Sequence, residues 1–189
     1  MKILIVDNYD SFTYNIVHYV EQFVNCCTVI KVDNIDIKQI KLYDKIILSP
    51  GPGLPNERPI LNEIIQKYHQ QKPILGICLG HQALAEYFGA KLFNMDNVHH
   101  GIARDTSFLG QDYLWGNTPL QYKTGRYHSW AIKKESLPDT LKIIAEDSLN
   151  KTIMAFSHKE LDIKGIQFHP ESILTENGKT IIKNWIEQK

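Results

Sequence analysis

Cys78 stands between two glycines in Gly76-Ile77-Cys78-Leu79-Gly80-His81, and that spacing could support nucleophilic chemistry. The apolar run Pro73-Ile74-Leu75-Gly76-Ile77 before it has the composition of a buried strand, and Ala83-Leu84-Ala85-Glu86-Tyr87-Phe88 after it forms helix readily. Glycine on both sides suits a sharp strand-to-helix turn, so the stretch reads as a nucleophile elbow carrying sulfur in place of the usual serine oxygen. At a helix N-terminus, free N–H groups and the helix dipole favour the thiolate. The alternative is a structural cysteine closing a core strand, and the flanking glycines weigh against it.

A thiol nucleophile needs a base and a group that orients the base. Gln167-Phe168-His169-Pro170-Glu171-Ser172 offers both, because positions i and i+2 of an extended segment project to one side. A carboxylate on one nitrogen of His169 would fix the tautomer and aim the other nitrogen at sulfur. Alone, the same stretch also reads as a surface histidine beside a proline turn. The loop Gly51-Pro52-Gly53 presents backbone N–H groups unobstructed by side chains, and with the N–H of Leu79 it could form an oxyanion hole. By itself it is a plain turn between strand and helix. No Gly-Lys-Ser or Gly-x-Gly-x-x-Gly pattern suggests a phosphate loop. Cys78 with His81, or His99 with His100, could start a metal site, but no second pair completes a tetrahedral set. His18, His69 and His158 are assigned to surface or packing roles, and Trp115, Trp130 and Trp185 to packing.

The elements that must carry these residues alternate. Lys2 to Val6 is a continuous apolar strand, and Phe12, Ile16, Val17, Val20, Phe23 and Val24 recur at helical spacing. Strand is expected over Thr28 to Val32 and Lys45 to Leu48, a short helix over Ile35 to Ile40, and a longer one over Glu57 to Gln70. This order predicts an α/β fold with a mostly parallel open sheet flanked by helices. Asp7, the Pro-Gly loop and Cys78 all follow strand ends, where such sheets bind ligands. From Lys91 to about Phe168 the pieces are short and β-prone, including Thr140 to Ala145, Thr152 to Ser157 and Ile163 to Phe168. They read as a small antiparallel β excursion on the same domain. A closing helix over Gly178 to Gln188 carries Ile181, Ile182, Trp185 and Ile186 as its apolar stripe.

The 189 residues suit one domain, expected to span 1–189. Lys+Arg and Asp+Glu both total 21, so no net field draws nucleic acid or an anionic membrane. No apolar stretch is long enough to cross a bilayer, and the first strand runs straight into Asp7, unlike a signal peptide. Three cysteines, two of them the adjacent Cys26 and Cys27, point to free thiols and a cytoplasmic setting.

In this order the chain resembles the class I (triad-type) glutamine amidotransferases, and within them the component II subunits of anthranilate synthase and aminodeoxychorismate synthase. The resemblance runs through Asp7-Asn8-Tyr9-Asp10-Ser11-Phe12-Thr13-Tyr14-Asn15, Leu48-Ser49-Pro50-Gly51-Pro52-Gly53, Gly76-Ile77-Cys78-Leu79-Gly80-His81-Gln82, Arg126-Tyr127-His128-Ser129 and Gly165 to Thr175. It implies a flavodoxin-like sheet and a catalytic triad of Cys78, His169 and Glu171. It also implies an oxyanion hole from the N–H groups of Gly51 and Leu79. Glutamine would be held by Gly51, Pro52, Gly53, Gln82, Ser129 and the backbone of Trp130. The implied partner is a large chorismate-binding synthase subunit, component I of either enzyme. No cofactor is implied in this chain, since the family's magnesium belongs to that partner. Two departures stand out: where many members follow the His-Gly pair with lysine, a small residue and serine, this chain has His100-Gly101-Ile102-Ala103-Arg104-Asp105, and where many follow Tyr-His-Ser with leucine it has Trp130. Rival expectations are the folate-directed enzyme, a subunit shared by both pathways, a non-catalytic regulatory module, and a partner-free hydrolase of peptides or γ-glutamyl compounds.

Overall fold

The structure of the chain, a computed structural model, describes residues 1–96 and 100–188. The strands are β1 (Lys2–Asp7), β2 (Cys26–Lys31), β3 (Lys45–Leu48), β4 (Ile74–Ile77), β5 (Leu92–Asn94), β6 (Ile102–Phe108), β7 (Gln121–Arg126), β8 (Trp130–Ile132), β9 (Leu141–Asp147), β10 (Ile153–His158) and β11 (Ile163–Ile166). The α-helices are α1 (Thr13–Glu21), α2 (Pro59–Tyr68), α3 (Leu79–Tyr87) and α4 (Gly178–Glu187). Among the described residues, nine strands form one sheet in the order β2-β1-β3-β4-β11-β10-β9-β6-β7. From β2 to β11 the ladders are parallel, and from β11 to β7 they are antiparallel.

Both faces of the parallel part are covered, which is why its strands read as unbroken apolar runs instead of alternating ones. Ile3, Ile5, Ile47, Leu75 and Ile77 pack on one side with α1 and α4, whose Ile16, Val20, Ile181 and Trp185 face them. Leu4, Val6, Ile46, Leu48 and Ile74 pack on the other side against Leu61 and Ile64 of α2 and Leu84 of α3. Each such fully buried aliphatic side chain contributes about 1.5–3 kcal/mol relative to exposure. Lys45 is buried within this frame. Its Nζ donates to the carbonyls of Trp185 at 2.8 Å and Gln188 at 2.7 Å, so it closes the C-terminal end of α4.

The expected α/β class with flanking helices holds, with differences in detail. Ile163–Ile166 is not part of an antiparallel excursion. It pairs in parallel with β4, Gly165 opposite Gly76, and antiparallel with β10 only on its other edge. The antiparallel strands therefore prolong the main sheet, and the separate piece is the two-stranded pair β5 and β8. The short helix expected at Ile35 to Ile40 is a 3₁₀ segment over Ile37–Leu42, opened by the Asp36 carboxylate accepting from the Lys38 N–H. Helix α2 begins at Pro59 rather than Glu57, proline being suited to a first helical position.

Register places the chemistry. Val6 lies opposite Leu48, Leu48 opposite Gly76, and Ile77 opposite Ile166. The segments leaving β1, β3, β4 and β11 thus depart from one edge of the sheet, and they contain Asn8, Gly51, Cys78 and His169 respectively.

Candidate active site

Cys78 occupies the bend between β4 and α3 with φ 51° and ψ −100°, a backbone conformation that costs a non-glycine residue energy. The surrounding packing enforces it. The Cys78 N–H donates to the Ile166 carbonyl at 2.8 Å, tying the elbow to the neighbouring strand. A Cβ on Gly76 would fall 2.4 Å from the Gly80 carbonyl oxygen, and one on Gly80 would fall 2.3 Å from that of Leu48. Only hydrogen fits at either position, so α3 starts in direct contact with the strands beneath it.

His169 and Glu171 follow β11. Nδ1 of His169 donates to Oε1 of Glu171 at 2.7 Å, and both residues are buried. This is the i, i+2 pairing expected from sequence, and it leaves His169 Nε2 to interact with the Cys78 sulfur. Burial alone would push His169 down, but the Cys78 sulfur and the Glu171 carboxylate more than reverse this and hold it well above the usual imidazole range. The histidine is therefore suited to holding a proton beside the Cys78 sulfur. Further bonds lock the histidine backbone: its N–H donates to Gly125 O at 3.1 Å, and its carbonyl accepts from Thr175 Oγ1 at 2.5 Å. Tyr127 covers the imidazole at a ring-centroid distance of 4.7 Å and Phe12 at 5.8 Å.

Beside the sulfur lies a cavity of about 170 Å³ lined by Gly51, Pro52, Gly53, Leu79, Gln82 and the segment 127–130. Larger and more open depressions exist among the described residues, such as one of about 630 Å³ beside Ile35 and Lys67 and one of about 550 Å³ beside Arg104 and Ser148, but no cysteine lines them. Every residue expected to hold a substrate borders the small cavity, whereas His169 and Glu171 lie behind the sulfur and outside its wall. Gly51 and Leu79 are neighbours in the cavity wall, a Cβ on Gly51 falling 3.0 Å from Leu79 Cδ2. The Gly51 loop is seated on Asn8, whose N–H donates to Ser49 Oγ and whose Nδ2 donates to Ser49 O, both at 2.9 Å. Asp7 serves this arrangement indirectly, accepting from the Tyr9 N–H at 3.0 Å and from Thr13 Oγ1 at 2.8 Å at the entrance to α1.

The far wall is held by the small sheet, where Asn94 pairs with Trp130 and the Met95 N–H donates to Ser129 O at 2.8 Å. The Trp130 carbonyl already accepts from Gln82 Nε2 at 3.0 Å and from His128 Nδ1 at 2.9 Å. Sequence reasoning overlooked Gln167, whose Nε2 donates to Cys78 Sγ at 3.6 Å. Its position two residues before His169 was the available signal, by the same alternation that paired His169 with Glu171. His81, next to the elbow in sequence, does not line the cavity and packs at a tilt against Phe156, ring centroids 4.8 Å apart. His99 lies outside the described residues. Among the described residues, no three His, Cys, Asp or Glu side chains converge as a metal-ligand set, and no helix is long and apolar enough to cross a membrane.

Comparison with known proteins agrees with this geometry. Residues 4–189 match the family model described as "Glutamine amidotransferase class-I". The "Anthranilate synthase component 2" of Pseudomonas putida is 40% identical over 195 residues, which cover 100% of this chain and 98% of that protein. The "Aminodeoxychorismate/anthranilate synthase component 2" of Bacillus subtilis is 40% identical over 188 residues, covering 98% of this chain and 95% of its own. Among solved structures, a Thermoplasma acidophilum protein provisionally described as part of a GMP synthase superposes with a TM-score of 0.88 at 27% identity, covering 98% of this chain and 92% of its own.

Proposed function

The chain belongs to the class I glutamine amidotransferases, and from that membership we propose that it is the glutaminase subunit of anthranilate synthase, delivering ammonia to a chorismate-aminating component 1. The observation that carries the chemistry is the buried His169–Glu171 pair at 2.7 Å, set behind an elbow cysteine that opens on a small cavity. A cavity of about 170 Å³ suits a free amino acid better than a peptide, since sites for larger ligands span roughly 300–1,000 Å³. This disfavours the partner-free peptide hydrolase. The intact triad disfavours a purely regulatory module.

In the proposed reaction the Cys78 thiolate attacks the side-chain amide carbon of glutamine, and the N–H groups of Gly51 and Leu79 receive the developing oxyanion. His169, charged at the outset, gives its proton to the departing nitrogen, which leaves as ammonia with a γ-glutamyl thioester behind. Neutral His169 then takes a proton from water as its oxygen attacks the thioester. Glutamate departs and the thiolate–imidazolium pair is restored. Glutamine and water are the only reactants, so the scheme calls on no cofactor in this chain. Glu171 keeps the imidazole in the productive tautomer throughout.

A second reading keeps the chemistry and changes the recipient. One relative carries both component 2 names in a single protein, which supports a shared role that extends to aminodeoxychorismate synthesis. Supplying the chain, glutamine and chorismate to each candidate large subunit separately tests both. Anthranilate from one pairing alone supports the first reading, aminodeoxychorismate alone replaces it with the folate reading, and both products indicate a shared subunit. Cys78→Ser is expected to abolish the glutamine-dependent product while added ammonium still sustains the partner. A serine variant with normal glutamine turnover would remove Cys78 from the mechanism.

A further inference from the structure

Gln167 has no part in the scheme above, yet it is fully buried against the nucleophile. Its backbone N–H is anchored to the Met154 carbonyl at 2.8 Å, just beyond β11. Its Nε2 lies 3.6 Å from Cys78 Sγ, a hydrogen-bonding separation for an atom as large as sulfur. Its Oε1 accepts from Gln82 Nε2 at 3.1 Å, and the same Gln82 nitrogen donates to the Trp130 carbonyl at 3.0 Å. One atom fixes the direction of the whole chain. A backbone carbonyl only accepts, so Gln82 must turn its NH₂ toward Trp130. The second hydrogen of that NH₂ goes to Gln167 Oε1, which leaves the Gln167 NH₂ facing sulfur. Flipping either amide would set oxygen against oxygen or against a thiolate.

We propose that Gln167 is a positioning residue for the Cys78 thiolate, and that the chain Trp130–Gln82–Gln167–Cys78 ties the wall of the substrate cavity to the nucleophile. The proposal rests on the reading of Cys78 as the nucleophile. Several other groups face this sulfur. His169, with Glu171 behind it, comes from the segment after β11, Tyr127 and His128 come from the loop after β7, and the N-terminus of α3 lies beneath. The Gln167 amide is uncharged, so removing it withdraws a hydrogen bond from the thiolate without changing the charge around it. Because the amides act in series, each polarises the next.

The test is alkylation of Cys78 by iodoacetamide in the full chain as a function of pH, with its adduct separated from those of Cys26 and Cys27 by peptide mass spectrometry. Glutamine hydrolysis is measured beside it. Gln167→Met preserves bulk and removes the donor. It is expected to move the alkylation midpoint to higher pH and to lower kcat roughly tenfold or more, with KM for glutamine little changed. Gln167→Glu, which sets an anion against the sulfur, is expected to move the midpoint further the same way. Gln82→Met should move it less, and the double variant no further than Gln167→Met alone. A role limited to packing would lower the yield of folded protein and leave the midpoint in place, which would overturn the proposal. Simple addition of the two single effects would overturn the serial chain. If Gln167→Met does not fold, the Gln167→Glu and Gln82→Met midpoints decide the matter. If native Cys78 reacts no faster than Cys26 and Cys27 at neutral pH, the nucleophile reading fails instead.

Discussion

A single methyl group added at Gly80 should disable the elbow. The new Cβ would lie 2.3 Å from the Leu48 carbonyl oxygen and 2.7 Å from the Leu48 Cβ, where unstrained contacts need about 3.5 Å. Leu48 is a core residue of β3 with both faces covered, so α3 has to yield. Its first turn must withdraw by about 1 Å, and Cys78 moves with it. A displacement of that size at a reacting atom costs about a hundredfold in turnover. Overpacking adds roughly 1–3 kcal/mol of destabilisation, which for a chain of this length lowers Tm by roughly 2–12 °C. Thermal unfolding and glutamine hydrolysis of Gly80→Ala measure the two effects. Gly89→Ala is the control: Gly89 has φ +103° and no heavy atom within 4 Å of a built Cβ, so this variant should lose stability through backbone strain and keep its turnover per folded molecule. A Gly80→Ala protein with native Tm and native turnover would refute the contact argument, and equal activity losses in both variants would refute its localisation to the elbow.

Glu171→Gln keeps an acceptor near His169 Nδ1 but removes one of the two charges that raise the imidazole. We expect turnover to fall about 10- to 100-fold and the His169 midpoint, followed by NMR, to move down; an unmoved midpoint would contradict the assignment. His81 behaves oppositely, because complete burial lowers it to about 3, with the Gly165 backbone opposing only in part. The unfolded chain protonates this histidine near pH 6.5 while the native state does not, so stability must decline as pH falls from there toward 3. By pH 4.5 the loss is roughly 2–3 kcal/mol. Urea midpoints at pH 7 and 4.5 should differ less in His81→Leu than in the native chain, and an undiminished acid slope would show that the proton goes elsewhere.

The parallel core was legible because burial on both faces leaves continuous apolar strands such as Lys2 to Val6, and because Gly76 and Gly80 announce a turn that admits no side chain. That His169 and Glu171 can share one face followed from alternation, and the elbow cysteine was needed to give the pair a role. Strand Ile163–Ile166 was recognised as extended but misplaced among the antiparallel pieces, since its partner β4 lies almost ninety positions earlier and nothing local records it. The helix expected over Ile35 to Ile40 was legible as helical, but the structure moves it to Ile37–Leu42, six residues that close 3₁₀ turns instead of α turns. Gln167 escaped notice for a related reason. An amide has no chemistry of its own, and its meaning appears only when Gln82 and Trp130, from distant parts of the chain, are brought beside it.

Cys78 and His169 leave adjacent parallel strands at the centre of the sheet, while the segment 127–130 follows the edge strand β7 and is fastened by the separate β5–β8 pair. Reactivity and recognition therefore come from different elements that are keyed to each other, since Gly125 of β7 holds the His169 N–H and Gln82 of α3 holds the Trp130 carbonyl. Exchange of the segment 127–130, by design or by descent, leaves the acid–base pair in place only if the replacement keeps both of those bonds.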